Sequence, residues 1–376
     1  MDFGNNDKGI ALVLDGGGGK GAYQIGVWEA MLKDTDFINR ITAISGTSVG
    51  ALNAVLFANG DFDVARDIWL EQVNNDIKQK DFGLAVENTK KFAELFGKSL
   101  VAFVCCLKSV ALRTAIFATQ IYNAHFNGSS ERISEIERFL DTHFYVSHRI
   151  SELIENEANN INLDKIRYCR MPIYVTATQY DKKALMTFFA DKMDFCDATS
   201  SDQVRYIKLN GKSNKEILTA LLASAALPAA FESQQINGER LRDGGIVDNS
   251  PIKPLYDEGY RHFLVVHCSK KAYIKNRDEK YPDAQFIEIF PSIQGKTLTF
   301  THEQSQMLYE CGIRDMTPVV EQNSFYRNLL SEKRKSQQEF DECIAYLEGD
   351  KKAVANHKLS DGNMQFLKYI TSMLDD

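Results

Sequence analysis

The chain has 376 residues, 44% of them hydrophobic and 25% charged, which is the composition of a globular protein and not of a disordered or fibrous one. Lys and Arg number 44 and Asp and Glu number 51, so the formal net charge is −7 and the molecule as a whole does not attract nucleic acid or anionic lipid. We therefore expect no nucleic-acid partner, and any membrane contact must be local.

The cysteines and the apolar runs bear on the cellular compartment. The 7 cysteines are scattered, with no C-x-x-C pair and no zinc-type spacing, which is typical of reduced cysteines. The first residues lack a basic stretch followed by an apolar one. The longest apolar run, residues 100–107, is far shorter than the roughly 20 residues of a transmembrane helix. We expect a cytoplasmic protein, peripheral to the membrane when it acts, with no metal or organic cofactor.

The first predicted element is a strand at residues 9–14, a continuous apolar run typical of a buried parallel strand. It leads into a glycine-rich turn and then into a predicted amphipathic helix that ends near Lys33. The turn consists of Gly16, Gly17, Gly18, Gly19, Lys20 and Gly21. The backbone N–H groups that such a turn exposes suit either a phosphate or a catalytic oxyanion.

Two nucleotide-binding interpretations of this turn fit less well. A P-loop would need glycine at the position of Leu14 and a hydroxyl residue at the position of Gly21, after Lys20. A dinucleotide fingerprint, G-x-G-x-x-G, is formally present. Its acidic residue should end a second strand, whereas Asp34 and Asp36 lie in a polar turn before the next strand.

The next elements are a strand and a helix joined by a sharp turn, within residues 41–60. The turn contains Gly46, Ser48 and Gly50 in the order of a G-x-S-x-G nucleophile elbow. The two glycines let strand and helix approach closely, and the serine hydroxyl stands at a helix N-terminus that favours negative charge. A glycine-rich turn in an ordinary α/β unit is the plain alternative, but a serine nucleophile would also explain the first glycine turn, because it requires N–H donors beside it.

Residues 61–170 change to helical periodicity without clear strands, and we interpret them as a helical insertion after the elbow helix. The segment 98–117 is strongly apolar, and its only charges are positive. This favours a core helix of the insertion and leaves open a lid, or an interfacial helix that lies on a lipid surface.

The sheet resumes with predicted strands at residues 173–178, 185–189 and 205–209, followed by a helix at 215–227. A further short strand ends at Asp243, and Gly244 and Gly245 after it permit a tight turn that directs the carboxylate outward. A carboxylate in that position is a candidate base. An Asx-turn acid at a surface hairpin is the alternative.

The three motifs, at residues 16–21, 46–50 and 243–245, resemble in their order the signature blocks of the patatin-like phospholipases, a family of lipid acyl hydrolases. Residues 223–231, Asn249 and Pro251 match as well, and the resemblance covers about residues 9–270 and the strand near 286–290. It implies that Ser48 is the nucleophile and Asp243 its partner in a Ser–Asp dyad. It also implies that residues 16–21 form the oxyanion-hole loop, with Lys20 in the family's basic position.

The predicted fold is therefore a three-layer α/β/α sandwich with a mainly parallel central sheet and a helical insertion after the nucleophile elbow. We expect a catalytic domain at residues 1–300, with the insertion or lid at about 61–170, and a C-terminal helical extension at 301–376 packed on that domain. A last strand is predicted at 285–290, and helices at 298–309, 331–347 and 361–374. No block of the family matches the insertion or the part after about residue 300.

The predicted function is hydrolysis of fatty-acyl esters of a phospholipid or another acyl-ester lipid, of phospholipase A or lysophospholipase type, through an acyl-enzyme. A soluble carboxylesterase with the same dyad and a non-catalytic scaffold are the alternatives. An α/β-hydrolase would need a histidine after the acid, but His267 lies in a predicted interior strand, where a hydrogen-bonded core histidine is expected. We also expect control by an activator or by self-association.

Overall fold

The computed structural model describes residues 8–74, 148–156, 161–179, 203–227, 231–270, 274 and 276–347. The predicted helix at 98–117, strand at 185–189 and helix at 361–374 lie outside these residues. The chain divides into two compact units between Thr317 and Pro318. The domain boundary near residue 300 and the packing of the C-terminal extension stay predictions.

The strands of the first unit are β1 (Ile10–Leu14), β2 (Ile41–Thr47), β3 (Ile173–Gln179), β4 (Val204–Lys208), β5 (Gln234–Ile236), β6 (Glu239–Asp243), β7 (His262–Val266) and β8 (Gln285–Ile289). The first helices are α1 (Ala22–Leu32), α2 (Thr35–Asn39), α3 (Val49–Asn59) and α4 (Phe62–Asp67), which continues as a π-helical turn, Ile68–Gln72. The later helices are α5 (His148–Glu155), α6 (Leu163–Arg167), α7 (Asn214–Ser224), α8 (Lys253–Asp257), α9 (Arg277–Lys280) and α10 (His302–Leu347).

These strands form one 8-stranded sheet in the order β5-β6-β3-β2-β1-β7-β8, with β4 paired to β3. The centre is parallel: β1 pairs with β2 and β7, β2 with β3, and β7 with β8. The pairings of β3 with β4, of β3 with β6 and of β5 with β6 are antiparallel. The predicted α/β class with a mainly parallel sheet is confirmed.

Both faces of the sheet are covered, which explains why β1 is apolar throughout. Successive side chains of a strand point to opposite faces. On one face Leu12 adjoins Ile25 of α1, and on the other Val13 packs in a cluster with Leu255 of α8. All five residues of β1 are buried, as expected for a parallel strand between two helical layers.

Helix α1 differs from its prediction, because it is buried almost all round and is not amphipathic. Its outer side is covered by the first turns of α10, and the two helices cross closely at glycines. A Cβ added to Gly26 would lie 1.9 Å from the carbonyl oxygen of Tyr309, and one added to Gly312 would lie 2.1 Å from that of Tyr23. A partner almost 300 residues away in the chain is not visible in the local pattern.

The break predicted between the helices at 298–309 and 331–347 is wrong. Helix α10 runs through 46 residues and includes Gly312 and Pro318, both of which usually weaken a helix. Of the acidic pair expected in a polar turn, Asp36 is helical, and Asp34 caps the same helix, α2, by accepting from the N–H of Phe37 at 3.1 Å. Within the described residues no helix is both long and apolar enough to cross a bilayer.

Candidate active site

The strand pairing explains how the elbow and the aspartate motif meet. Strand β2 pairs with the first part of β3, with Thr47 opposite Thr176, and β6 pairs with the last part, with Asp243 opposite Ala177. Strand β4 pairs with β3 across both parts. Since a strand has only two edges, β2 and β6 must share the other one, end to end. Thr47 and Asp243 therefore lie at adjacent positions, and Ser48 follows Thr47 directly.

The side chains of Ser48 and Asp243 form a direct hydrogen bond. The hydroxyl of Ser48 donates to Oδ2 of Asp243 at 2.7 Å, and the N–H of Gly245 donates to Oδ1 at 2.8 Å. Asp243 is only 4% exposed. The carboxylate thus faces the hydroxyl with one oxygen, while the glycine turn after it holds the other.

The surroundings of Asp243 make its carboxylate unusually basic. Burial raises the pKa of Asp243 to about 6, although the hydrogen bonds from Ser48 and Gly245 act in the opposite direction. At neutral pH the group is ionised and yet binds a proton more readily than an ordinary carboxylate does. A general base works best when its pKa lies near the working pH.

The backbone of Ser48 is strained, as a nucleophile elbow requires. Its φ of 55° and ψ of −122° fall in a region that residues other than glycine rarely adopt. The N–H of Ser48 donates to Oγ of Ser224 at 2.9 Å, and that hydroxyl donates to the carbonyl of Thr176 at 2.6 Å. Ser224 at the end of α7 therefore fixes the strained turn to the sheet.

The elbow glycines are required by close contacts. A Cβ on Gly46 would lie 2.2 Å from the carbonyl oxygen of Gly50, and a Cβ on Gly50 would lie 2.2 Å from that of Leu14. Distances this short cannot be relieved by turning a side chain, because the contacted atoms are backbone. The elbow therefore closes against β1 and the glycine loop only with glycine at both positions.

The strain leads to a stability prediction. We expect Ser48→Gly to have a free energy of unfolding about 1 kcal/mol higher than Ser48→Ala, because glycine relieves the positive φ and loses only part of that gain to backbone entropy. Both variants lack the hydroxyl, so its hydrogen bond cancels from the comparison. Urea unfolding of the two proteins measures the difference. A glycine variant no more stable than the alanine variant would contradict the strain.

The glycine loop lies directly against Ser48. A Cβ added to Gly16 would lie 3.1 Å from that of Ser48. The N–H of Gly19 donates to the carbonyl of Thr297 at 2.8 Å, so it is used within the fold.

The remaining loop amides differ in whether they donate to an acceptor within the fold. The N–H groups of Lys20 and Gly21 donate to the carbonyls of Gly17 and Gly18, at 3.3 Å and 3.2 Å. Within the described ranges, no protein acceptor is found for the N–H groups of Gly17 and Gly18 themselves. Three of the six predicted loop residues, Gly19, Lys20 and Gly21, thus use their amides within the fold, whereas the amides of Gly17 and Gly18 are suited to receive an oxyanion.

A cavity of about 1080 Å³ opens over Ser48, Asp243 and the loop residues Gly17 and Gly18. Its lining includes the apolar side chains of Leu52, Leu56, Trp69, Ile150, Ile154 and Leu221. It also includes the polar side chains of Tyr206, Asp248, Lys253, Asp257, Lys280 and Tyr281. The cavity therefore surrounds one hydroxyl group with both apolar and polar side chains.

Sequence reasoning missed the roles of Ser224 and of two residues of α5. Ser224 lies in the stretch 223–231 that resembles the family, but the resemblance assigned it no role, because its hydrogen bond to Ser48 spans 176 residues. Ile150 and Ile154 of α5 belong to the predicted insertion and are buried in the cavity wall. Their spacing of four residues is a helical signal that could have identified them. Most of the insertion, including the segment 98–117 for which a core helix was favoured and a lid left open, lies outside the described residues.

His267 is buried, and its ring nitrogens face the carboxylates of Asp15 and Glu288 at 2.8 Å and 3.0 Å. Neither nitrogen contacts Ser48 or Asp243. The prediction of a hydrogen-bonded core histidine is confirmed. His267 does not complete a Ser–acid–His triad with Ser48 and Asp243.

Comparison with known proteins links this chain to one family. A sequence model described as patatin-like phospholipase matches residues 12–256. Curated relatives include lysophospholipase NTE1 from two strains of Cryptococcus neoformans var. neoformans serotype D, each 23% identical over 316 residues. The alignment covers 82% of this chain and 14% of the relative, so the chain spans about 14% of the length of the curated relatives it matches.

Solved structures with a similar fold include two bacterial proteins. VipD from Legionella pneumophila has 15% sequence identity and a TM-score of 0.40, covering 84% of this chain and 67% of that chain. ExoU from Pseudomonas aeruginosa, solved at full length in complex with SpcU, has 14% identity and a TM-score of 0.35, covering 96% and 67%.

Proposed function

The chain belongs to the patatin-like phospholipase family, and on that basis we propose that it is a serine lipid acyl hydrolase of phospholipase A or lysophospholipase type. The observation that carries the proposal is the 2.7 Å hydrogen bond from the Ser48 hydroxyl to the buried carboxylate of Asp243. A serine hydroxyl is a weak nucleophile until a base takes its proton. Asp243 is positioned to be that base without a histidine.

In the acylation step, Oγ of Ser48 attacks the ester carbonyl carbon while its proton passes to Oδ2 of Asp243. The carbonyl oxygen becomes an oxyanion, and the N–H groups of Gly17 and Gly18 donate to it. The intermediate collapses when the bond to the alcohol oxygen breaks, and Asp243 returns the proton to that oxygen. The products are the free alcohol or lysophospholipid and an acyl ester on Ser48.

In the deacylation step, a water molecule takes the place of the alcohol. Asp243, again ionised, accepts a proton from the water as its oxygen attacks the acyl carbon. The same two amides stabilise the second oxyanion. Collapse of the intermediate breaks the bond to Oγ, Asp243 protonates Ser48, and the fatty acid leaves.

The lining of the cavity supports a lipid as the substrate. An acyl chain buried against the apolar side chains of the lining would leave water at a gain of about 0.8 kcal/mol per CH₂ group. The polar side chains of the lining suit the glycerol and head-group part of a phospholipid. A hydrolase of small polar esters would have no use for so many apolar side chains around its hydroxyl group.

The test is the dependence of activity on acyl length. We expect kcat/KM for p-nitrophenyl esters to rise at least about 100-fold from acetate to octanoate, because each buried CH₂ group contributes about 0.8 kcal/mol. Phospholipid vesicles should release free fatty acid under the same conditions. Equal activity on all chain lengths, with no release from vesicles, would favour the soluble carboxylesterase. No activity on either substrate would favour the scaffold.

We further infer that the enzyme works in transient contact with a lipid surface, since its substrate resides there. The cytoplasmic location and control by an activator or by self-association stay predictions from the sequence.

A further inference from the structure

A buried network of charged side chains lies behind the glycine loop and is not used by the reaction steps described above. Asp15, His267 and Glu288 come at the ends of the parallel strands β1, β7 and β8, which are neighbours in the sheet. The carboxyl ends of these strands meet at one edge, the edge that carries the active site. We call this group the Asp15 network, with Arg277 and Ser250 as its outer members.

The contacts in the Asp15 network form one continuous chain. Ser250 donates to Oδ1 of Asp15 at 2.6 Å, and Oδ2 of Asp15 lies 2.8 Å from Nδ1 of His267. The other ring nitrogen, Nε2, lies 3.0 Å from Oε1 of Glu288, and the second oxygen of Glu288 pairs with Arg277. Asp15 is 1% exposed and His267 is 0% exposed.

The two carboxylates beside His267 favour the charged form of its ring. A neutral imidazole has one N–H and could donate to only one of the two carboxylates, which would leave a lone pair facing the other. An imidazolium donates to both. Burial lowers the pKa of His267, but the hydrogen bonds and charges of Asp15 and Glu288 outweigh it, so the pKa is raised. Charges then alternate along Asp15, His267, Glu288 and Arg277.

Asp15 connects the two halves of the active site. It is the residue before Gly16, the first residue of the glycine loop, and its carboxylate holds Ser250, in the segment that follows the Asp243 turn. Next to Ser250, the side chain of Asn249 donates to the carbonyl of Gly16 at 3.3 Å.

The backbone of Asp15 is held as well. Its carbonyl accepts a hydrogen bond from the side chain of Gln24 at 2.8 Å. Cys268, which follows His267, fills the space beside Gly17, where an added Cβ would lie 2.6 Å from the Cβ of Cys268. The start of the loop is therefore fixed both from α1 and from the residue pair that follows β7.

We propose that Asp15, held by His267, is a positioning residue for the hydrolysis reaction. Its carboxylate joins the glycine loop to the segment after Asp243 and keeps the N–H groups of Gly17 and Gly18 directed at the carbon that Ser48 attacks. The proposal rests on the proposed function, because the amides act only on an oxyanion formed at Ser48. His267 acts through Asp15 and touches no reacting atom.

The experiment compares severe and conservative variants at both positions. Asp15→Ala and His267→Leu remove the contact, whereas Asp15→Asn and His267→Gln keep an acceptor or a donor in place. We expect the first two to lower kcat about 100-fold with KM within about threefold, since a misplacement near 1 Å can cost that much. The conservative pair should retain at least about a tenth of kcat. Activity is expressed per active site, titrated with a fluorophosphonate probe.

Two controls separate positioning from folding. His262→Gln changes a histidine at the other end of β7 and should leave kcat unchanged. The double variant Asp15→Ala/His267→Leu should be no slower than Asp15→Ala, because residues that act as one unit do not have additive effects. If a severe variant does not fold, the conservative variant at the same position takes its place. The proposal then requires that this variant has a measurably lower kcat than wild type and that the His262→Gln control does not.

The outcomes distinguish this proposal from the proposed function. Severe variants with kcat per titrated site within threefold of wild type would overturn the positioning proposal, as would fully additive losses. The rate of fluorophosphonate labelling depends on the same amides and not on a lipid. If wild type is labelled but releases no fatty acid, the lipid assignment fails. The labelling rates of the Asp15 and His267 variants relative to wild type then still test whether Asp15 is a positioning residue. If wild type is not labelled, both proposals fail.

Discussion

Ser48→Ala is expected to lower kcat for ester hydrolysis by at least about 10⁴-fold, with little change in KM, because no acyl-enzyme can form without the hydroxyl. The substitution removes one oxygen atom and leaves the cavity walls in place. Release of p-nitrophenol from the octanoate ester measures the loss directly, and fatty-acid release from vesicles measures it on lipid.

A matched serine variant excludes an effect of stability. Ser213 caps helix α7 by accepting from the N–H of Glu216, in a capping box away from the cavity. Ser213→Ala should lower the free energy of unfolding by about 1 kcal/mol and leave kcat unchanged. If Ser48→Ala retained more than a few per cent of wild-type kcat, or if the two variants lost activity alike, Ser48 would not be the nucleophile.

Asp243→Asn is expected to lower kcat by about 10³-fold, within the range typical for loss of a general base. Asparagine has nearly the same shape as aspartate but cannot accept the proton of Ser48. The variant should still bind substrate, so KM should change little. Steady-state kinetics on the octanoate ester give both parameters, and an asparagine variant with wild-type kcat would contradict the dyad.

The pH dependence of the wild type provides a second measure of Asp243. Because the pKa of Asp243 is raised to about 6, the base is protonated and inactive below that pH and ionised above it. We expect kcat/KM to rise with pH and level off above about 7, with about a tenth of the plateau remaining at pH 5. Asp243→Asn has no carboxylate to titrate, so its residual activity should lack this acidic limb. A limb that persists unchanged in the variant would belong to another group.

The sheet and the nucleophile elbow were predictable because their signals are local. A continuous apolar run, glycines at a sharp turn and an apolar helix within residues 41–60 specify strand, elbow and helix without reference to the rest of the chain. The short strand that ends at Asp243 was predictable for the same reason. Its neighbours in the sheet were not, because the shared edge of β3 depends on pairing between distant segments.

The errors arose where distant segments override the local pattern. Helix α1 was expected to have a polar face, but α10 covers that face through the glycines at 26 and 312. The local sequence of α10 likewise did not indicate one helix through Pro318. In the site, Ser224 and Asp15 act through hydrogen bonds to residues 176 and 252 positions away. No short motif carries such a relation.

The most direct test of the Ser48–Asp243 dyad is intact-protein mass spectrometry after reaction with a fluorophosphonate probe, with peptide mapping of the adduct. The expected result is one adduct, on Ser48, in the wild type. Ser48→Ala should form none, and Asp243→Asn should react at least about 100-fold more slowly, as the loss of a general base implies. An adduct on a different residue, or equal labelling rates in the wild type and Asp243→Asn, would contradict the dyad.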